Sequence, residues 1–552
     1  MRRDPSRLTT PEFDLLIVGA GIYGATAAWD ATQRGLTVAL IDKGDFGGGT
    51  SFNNAKTVHG GVRSLQRGHL GEMREYLRER RALLRILPHL VHPLPFVLPT
   101  ARALTRSRLA LGTYFRLNDL LAYDRNRIPD DSKHLPGSRL LSREECLRVA
   151  PWIAPTGVTG GIEWHDAQFS NSSRAELAFI RTAVRHGLEA ANHVEALAPI
   201  VSDGRIAGVM ARSLLEDGHE FPIRARAVLL AAGGWTDEWL GRATGGRRRK
   251  PVPRWSVAMN VVIPGLGGTH AVGGTARGRL FFLAPWRGAT IAGTSHDPWT
   301  ATADQLAPRR EFVEQLLADL NAAFPRARIA SGDIRLVHRG LLPATEASPQ
   351  RVTLMRESPF VDHGEDGCRQ LYSLVGVRYT TARRSAEHAV DVIARALGTS
   401  VAACATATTQ LDGGQIERFD AYVREATREA TPEVPARLIE RLVYNAGTAW
   451  RDIVALGRSA TSSGRDLLKP LGAACDVTGA EVLYAVREEM AMTLGDALLR
   501  RTEAGSRGYP GDDAVEAAAE IAGAELGWSD GRTQRERQDL LRTYDAASLR
   551  GN

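Results

Sequence analysis

The sequence predicts an α/β fold in three parts: a Rossmann-like parallel sheet, an antiparallel second sheet and a C-terminal α-helical domain. Three observations predict it. An apolar run ending in Gly19-x-Gly21-x-x-Gly24 opens an alanine-rich helical stretch, and a second apolar run follows, closing at Asp42. Between Val252 and Thr294, β-branched and aromatic runs are broken by Gly and Pro, which is the pattern of an antiparallel sheet. From Gln415 onward, helical patterns dominate and strand signals are few.

Each element follows in order. Leu15–Gly19, Ile22–Thr32 and Thr37–Asp42 read as strand, helix and strand, with Gly35 ending the helix. Charges alternate around Met73, Tyr76, Leu77 and Leu83, which predicts a helix over Leu70–Leu87. A further helix is expected over Arg174–Gly187, then a hairpin broken at Asp203-Gly204. "RAVLLAAGGW" is a buried strand ending in Gly233 and Gly234, and "LYSLVGVRYTTARRSAEHA" is strand, glycine turn and helix.

The glycine fingerprint has a mechanism here. Gly19 permits the tight turn, Gly21 lets backbone approach a pyrophosphate, and Gly24 lets helix and strand pack closely. The helix N-terminus adds amide donors and partial positive charge, and Asp42 can accept hydrogen bonds from ribose hydroxyls. The fingerprint's place near the N-terminus, with a late strand ending in Gly233 and Gly234, favours FAD over a nicotinamide.

Composition excludes other classes. With 552 residues, 43% apolar and 24% charged, the chain reads as a globular protein of two or three domains. Its net charge of +7 comes from arginine spread along the whole sequence, without a nucleic-acid motif, so an anionic small molecule or lipid is the expected partner. Cys146, Cys368, Cys404 and Cys475 lie far apart and suit neither a zinc site nor a disulfide framework, so no metal is expected. No apolar run forms a signal-peptide core or a membrane span, which favours the cytoplasm and leaves peripheral attachment at the inner membrane face open.

A second motif follows the first: Thr50, Ser51, Lys56, His59, Gly60, Gly61, Arg63 and Leu65 spell T-S-x-x-x-x-K-x-x-H-G-G-x-R-x-L. This resembles FAD-dependent glycerol-3-phosphate dehydrogenases and oxidases, as do "LFFLAPWRGATIAGTSHD", "GVRYTTARRSAEHA" and "EVLYAVREEMAMTLGDALLRRTEAG". The resemblance implies a D-amino-acid-oxidase-like fold. An FAD-binding domain is expected over 13–95, 155–240 and 333–400, a substrate-binding domain over 96–154 and 241–332, and a helical domain over 410–550. It also implies oxidation of sn-glycerol 3-phosphate, or a related polyol phosphate, to dihydroxyacetone phosphate by hydride transfer to FAD, with quinone or oxygen as electron acceptor. Cofactor contacts are expected at Gly19, Gly21, Gly24, Asp42, Thr50, Ser51, Lys56, Gly60, Gly61, Gly233, Gly376 and Thr380.

Oxidising an alcohol carbon requires a base within reach of its hydroxyl proton. His59 fits by its near-neutral pKa, with the alternative that it only hydrogen-bonds cofactor phosphate or backbone. Arg63 would bind an anionic group or a developing oxyanion. Gly376 and Arg378 enter a helix whose N-terminus would favour the negative charge of reduced flavin, and Arg378 also reaches toward substrate. His59, Arg63 and Arg378 are therefore the candidate catalytic residues.

Four positions depart from the family pattern. Ser64 replaces a Tyr, Arg378 a Lys and Asn260 a His, and Leu342 precedes Pro343 where a phosphate-binding Arg is usual. Arg339 lies three residues earlier, which on a strand would point it to the other face, and Arg356 is the better surviving anion contact. Arg63, Asn260, Arg339, Arg356 and Arg378 are the candidate substrate contacts. Because the departures cluster at substrate positions, a same-fold enzyme retuned to a different alcohol or amine is the alternative.

Overall fold

The computed structural model describes residues 1–61, 68–215, 218–243, 250–348, 351–460 and 465–545. Arg63, Ser64 and Leu65 lie outside the described residues. Phe13–Val18 is the centre of an eight-stranded sheet, paired in parallel with Val38–Ile41 on one side and with Glu220–Leu230 on the other. Glu189–Ala191 and Leu371–Leu374 extend it in parallel outward, and Phe360–Asp362 closes one edge antiparallel. These strands are near-continuous apolar runs because helices cover the sheet: Ile22–Gln33 packs against Ser172–Arg185 and Ala382–Ala396. The expected hairpin joins Val194–Ser202 to Arg205–Ser213. Asp203 and Gly204 both take positive φ (51° and 69°), as a two-residue turn that follows strand twist requires.

The second sheet has ten strands. Its middle is an antiparallel run of Leu336–Ala347, Arg254–Pro264, Ala289–Trp299, Arg279–Trp286 and Ala271–Ala276. It continues through Val91–Ala101 and Val158–Phe169 to Thr57–Val58. Sheet and expected domain do not coincide: Thr57–Val58, the first half of Val91–Ala101, Val158–Phe169 and Leu336–Ala347 pair in the second sheet, although they fall within the ranges 13–95, 155–240 and 333–400 expected for the FAD-binding domain. Alternation along a strand identifies which residues are buried; it carries no information on which sheet the strand joins.

Beyond Gln415, helices from Phe419–Thr427 to Asp530–Asp545 enclose a core around Ile439, Trp450, Leu483 and Leu498, which continues into Val262, Trp286 and Leu336 of the second sheet. Among the described residues, no helix is long and apolar enough to cross a membrane.

Candidate active site

The first strand delivers the chain into a turn that has no room for side chains. Gly19 holds φ at +101°, and a Cβ there would lie 2.6 Å from the Ala231 carbonyl oxygen. A Cβ on Gly24 would overlap the Gly19 carbonyl, so glycine lets helix Ile22–Gln33 start flush against the strand. Asp42 accepts hydrogen bonds from the amides of Ala20 (2.7 Å) and Gly44 (2.8 Å). Burial raises its carboxyl above the usual range, and those two amides oppose the shift. The Ile22 amide donates to Ser51 Oγ at 2.9 Å, which fastens the Gly47–Ser51 loop to the helix N-terminus.

The second glycine pair meets the facing sheet. The Gly60 amide donates to Asp166 Oδ1 at 2.7 Å, and a Cβ there would strike the buried Arg80–Asp166 ion pair. Gly61 holds φ at +74°, and its missing Cβ would lie 2.5 Å from the Tyr76 ring. The His59 imidazole lies 5.1 Å from that ring, centroid to centroid. Burial pushes the Tyr76 phenol well above its usual pKa.

The third wall is the entry to helix Ala382–Ala396. Tyr23 packs over Gly376, where a Cβ would overlap its ring. Its hydroxyl donates to the Arg378 carbonyl (2.8 Å) and accepts from the Val377 and Arg378 amides (3.3 Å each), fixing the turn. The Arg378 guanidinium lies 5.4 Å from the Tyr76 ring centroid and 3.4 Å from Glu72.

These pieces border one cavity of about 1560 Å³. Gly19, Gly21, Asp42, Thr50, Ser51, Gly233, Gly376 and Thr380 line it together with His59, Gly61, Asn260 and Arg378. Asn260 is buried there, and its Oδ1 accepts from Thr294 Oγ1 at 2.6 Å. The volume exceeds the roughly 300–1,000 Å³ of a drug-sized ligand site, so it can hold a dinucleotide and a small substrate together. The side-chain-free turn, the helix N-terminus and Asp42 fit the diphosphate and ribose of FAD.

Several expected residues stand elsewhere. Lys56 is buried behind the loop, donating to the Phe52 carbonyl and to Ser172 Oγ (3.0 Å), and desolvation brings its pKa down to about 7. It ties the loop down from behind and is not among the cavity residues. Gly24 and Gly60 act through packing, out of reach of a ligand. Arg339 and Leu342 fall on opposite faces of strand Leu336–Ala347, so Leu342 lines the cavity and Arg339 a smaller neighbouring one. Arg356 is half exposed and is not among the cavity residues, although it pairs at 3.7 Å with Glu72, which is. Sequence reasoning missed Tyr76, Arg279 and Arg351, which do line it. None of the three belongs to a spaced motif. Tyr76 was read only as the apolar face of a helix.

Comparison with known proteins agrees with this geometry. Residues 14–391 match the family model "FAD dependent oxidoreductase", and residues 404–533 match "C-terminal domain of alpha-glycerophosphate oxidase". The chain is 30% identical to "Glycerol-3-phosphate dehydrogenase 2" of Mycobacterium tuberculosis, covering 98% of this chain and 90% of that one. It is 29% identical to "Glycerol-3-phosphate dehydrogenase" of Synechocystis, over 91% of this chain and 90% of the relative. The solved glycerol-3-phosphate dehydrogenase from Bacillus halodurans, complexed with FAD, shares the fold with a TM-score of 0.77 at 23% identity, covering 99% of this chain and 97% of its own. The chain therefore belongs to the glycerol-3-phosphate dehydrogenase family of FAD-dependent oxidoreductases.

Proposed function

We propose that the chain oxidises sn-glycerol 3-phosphate, or a closely related polyol phosphate, to dihydroxyacetone phosphate. The observation that carries the reading is that His59 and Arg378 border the same cavity as the glycine turn and Asp42. FAD, when bound, supplies the acceptor for the hydride leaving the alcohol carbon. The Gly19–Gly24 turn, Ser51 and Asp42 hold the diphosphate and ribose, and the amides entering helix Ala382–Ala396 offset negative charge at the other end.

His59 takes the hydroxyl proton on an imidazole nitrogen, with the Tyr76 ring limiting its orientation. Arg63 binds an anionic group of the substrate. Leu342 removes one expected phosphate contact, and Arg378, Arg279 and Arg351 are among the cations along the same cavity that can replace it.

A second reading, an enzyme retuned to another alcohol or amine, is favoured by Leu342 and by the apolar wall of Phe96, Phe115, Trp164 and Phe282. Anaerobic titration of the FAD-bound protein separates the two. Bleaching by glycerol 3-phosphate and not by glycerol supports the first; bleaching only by an unphosphorylated alcohol or an amine supports the second.

The acceptor we propose is a membrane quinone. Phe115 lines the cavity from helix Arg108–Leu121, while the outer face of that segment exposes Leu104, Leu109, Leu117, Leu120 and Tyr123 beside Arg102, Arg116 and Arg127. Exposed leucines flanked by arginines suit the interface of an anionic bilayer. A peripheral site on such a membrane would bring a lipid-soluble acceptor to the wall of the cavity.

A further inference from the structure

Beside the large cavity lies a second one of about 310 Å³, which shares with it the Gly48–Thr50 loop, Asn53, Asp304 and Arg500, while Arg339 lines the second alone. Its walls come from distant parts of the chain, Trp235, Asp304 and Leu306 among them. Val337, Arg339 and Leu341 come from one face of strand Leu336–Ala347, Asn53 from the loop, and Leu499, Arg500 and Thr543 from the C-terminal domain.

Its arginines are unusual in their partners. Arg339 Nε donates to the Leu306 carbonyl at 3.2 Å, and the side chain has no ion pair and no further acceptor among the described residues. Partial burial lowers its pKa. Arg500 donates from Nε to Asp45 (2.5 Å) and from Nη2 to Asp496 (2.7 Å), leaving Nη1 with no acceptor among the described residues. The acidic group on this cavity, Asp304, is already taken by Lys43 (2.5 Å) and Trp235 Nε1 (2.7 Å). The cavity thus offers an Arg339 guanidinium with no carboxylate partner among the described residues, and one free nitrogen on an Arg500 whose charge Asp45 and Asp496 already balance.

We propose that this second cavity binds a small phosphate dianion, either free phosphate or a phosphomonoester, between Arg339 and Arg500. A guanidinium fork matches phosphate oxygens, and the two free Arg339 nitrogens with Nη1 of Arg500 place donors on two walls, which suits the several oxygens of a phosphate better than the two of a monocarboxylate. The volume stands at the small end for ligand sites, which excludes a nucleotide. Because the site touches the back of the Gly48–Thr50 loop, its occupant also bears on the loop that faces the large cavity. Arg339 was a candidate substrate contact only if the strand broke there; the strand is regular, and its alternation turns Arg339 to this adjoining cavity.

The test is equilibrium dialysis of the FAD-bound protein against labelled inorganic phosphate and, separately, dihydroxyacetone phosphate. Wild type should show a saturable site that Arg339→Gln weakens by at least about tenfold, and that Leu306→Glu, which keeps Arg339 but supplies an internal carboxylate, abolishes. His59→Ala should keep that site, and Arg339→Gln should keep reduction by glycerol 3-phosphate, so failure here is distinct from failure of the proposed reaction. Tighter binding of dihydroxyacetone phosphate names a phosphomonoester as the occupant; tighter binding of inorganic phosphate names the free ion. Unchanged phosphate binding in both Arg339→Gln and Leu306→Glu, or none in wild type, overturns the proposal.

Discussion

His59 and Gly24 illustrate two ways in which a single residue decides the outcome. If His59 accepts the substrate proton, His59→Ala should retain FAD and lose about 10²–10⁴-fold in the rate of anaerobic flavin reduction, measured by stopped flow. Arg63→Ala should likewise retain FAD and lose most of that rate. Gly24 contributes only its lack of a side chain. Gly24→Ala should give protein that no longer retains FAD through gel filtration, because the new methyl group would overlap the Gly19 carbonyl oxygen. The glycine turn and Asp42 were legible in the sequence because each glycine is required by steric conditions that spacing alone records. Tyr76 and Arg279 were not, since a residue that reaches a cavity through the tertiary packing of its helix or strand leaves no local trace. Arg339 and Arg356 show the converse: a basic residue near a motif gap was read as a substitute ligand, and strand alternation and exposure placed both elsewhere.

Among the elements, the π-helical turn Asp496–Arg501 joins the C-terminal domain to the nucleotide-binding loop. Arg501 grips the buried Asp45 carboxylate with two bonds (2.6 and 2.7 Å), Arg500 adds a third, and His193 meets Asp496 at 2.9 Å. Removing one partner of such a pair leaves a buried charge uncompensated, so Arg501→Ala should cost about 3–5 kcal/mol, read by denaturant unfolding. The junction is also pH-dependent. Burial disfavours the charged imidazole of His193, but the Asp496 carboxylate outweighs this and holds its pKa above the usual value. A raised histidine pKa stabilises fully below the unfolded value of about 6.5 and loses that contribution as pH climbs through the folded value. The stability difference between wild type and His193→Asn should therefore shrink as thermal melts are moved from pH 6 to higher pH. The expected strands and helices were themselves largely legible. Their division between two sheets was not, because strand Leu336–Ala347 finds its partners through long-range pairing with Arg254–Pro264.

The whole molecule brings three parts of the fold to one cavity: the parallel sheet supplies the glycine turn, the ten-stranded sheet the opposite wall, and the C-terminal domain Arg500. Its outer surface adds the leucine and arginine face around helix Arg108–Leu121. Leu109→Glu combined with Leu120→Glu should reduce cosedimentation with phosphatidylglycerol vesicles at least about tenfold, since burying each leucine is worth about 1.5–3 kcal/mol. Reduction by soluble substrate should be unaffected. Equal sedimentation of the variant and wild type would dismiss this face as the membrane contact.

That this cavity holds FAD so that His59 serves the oxidation of a phosphorylated secondary alcohol is tested most directly by an anaerobic single turnover of FAD-saturated protein with glycerol 3-phosphate. One dihydroxyacetone phosphate is expected for each flavin bleached in wild type, and little of either in a His59→Ala variant with full flavin content. A fully loaded wild-type protein whose flavin stays oxidised, or a His59→Ala variant that turns over at the wild-type rate, would contradict it.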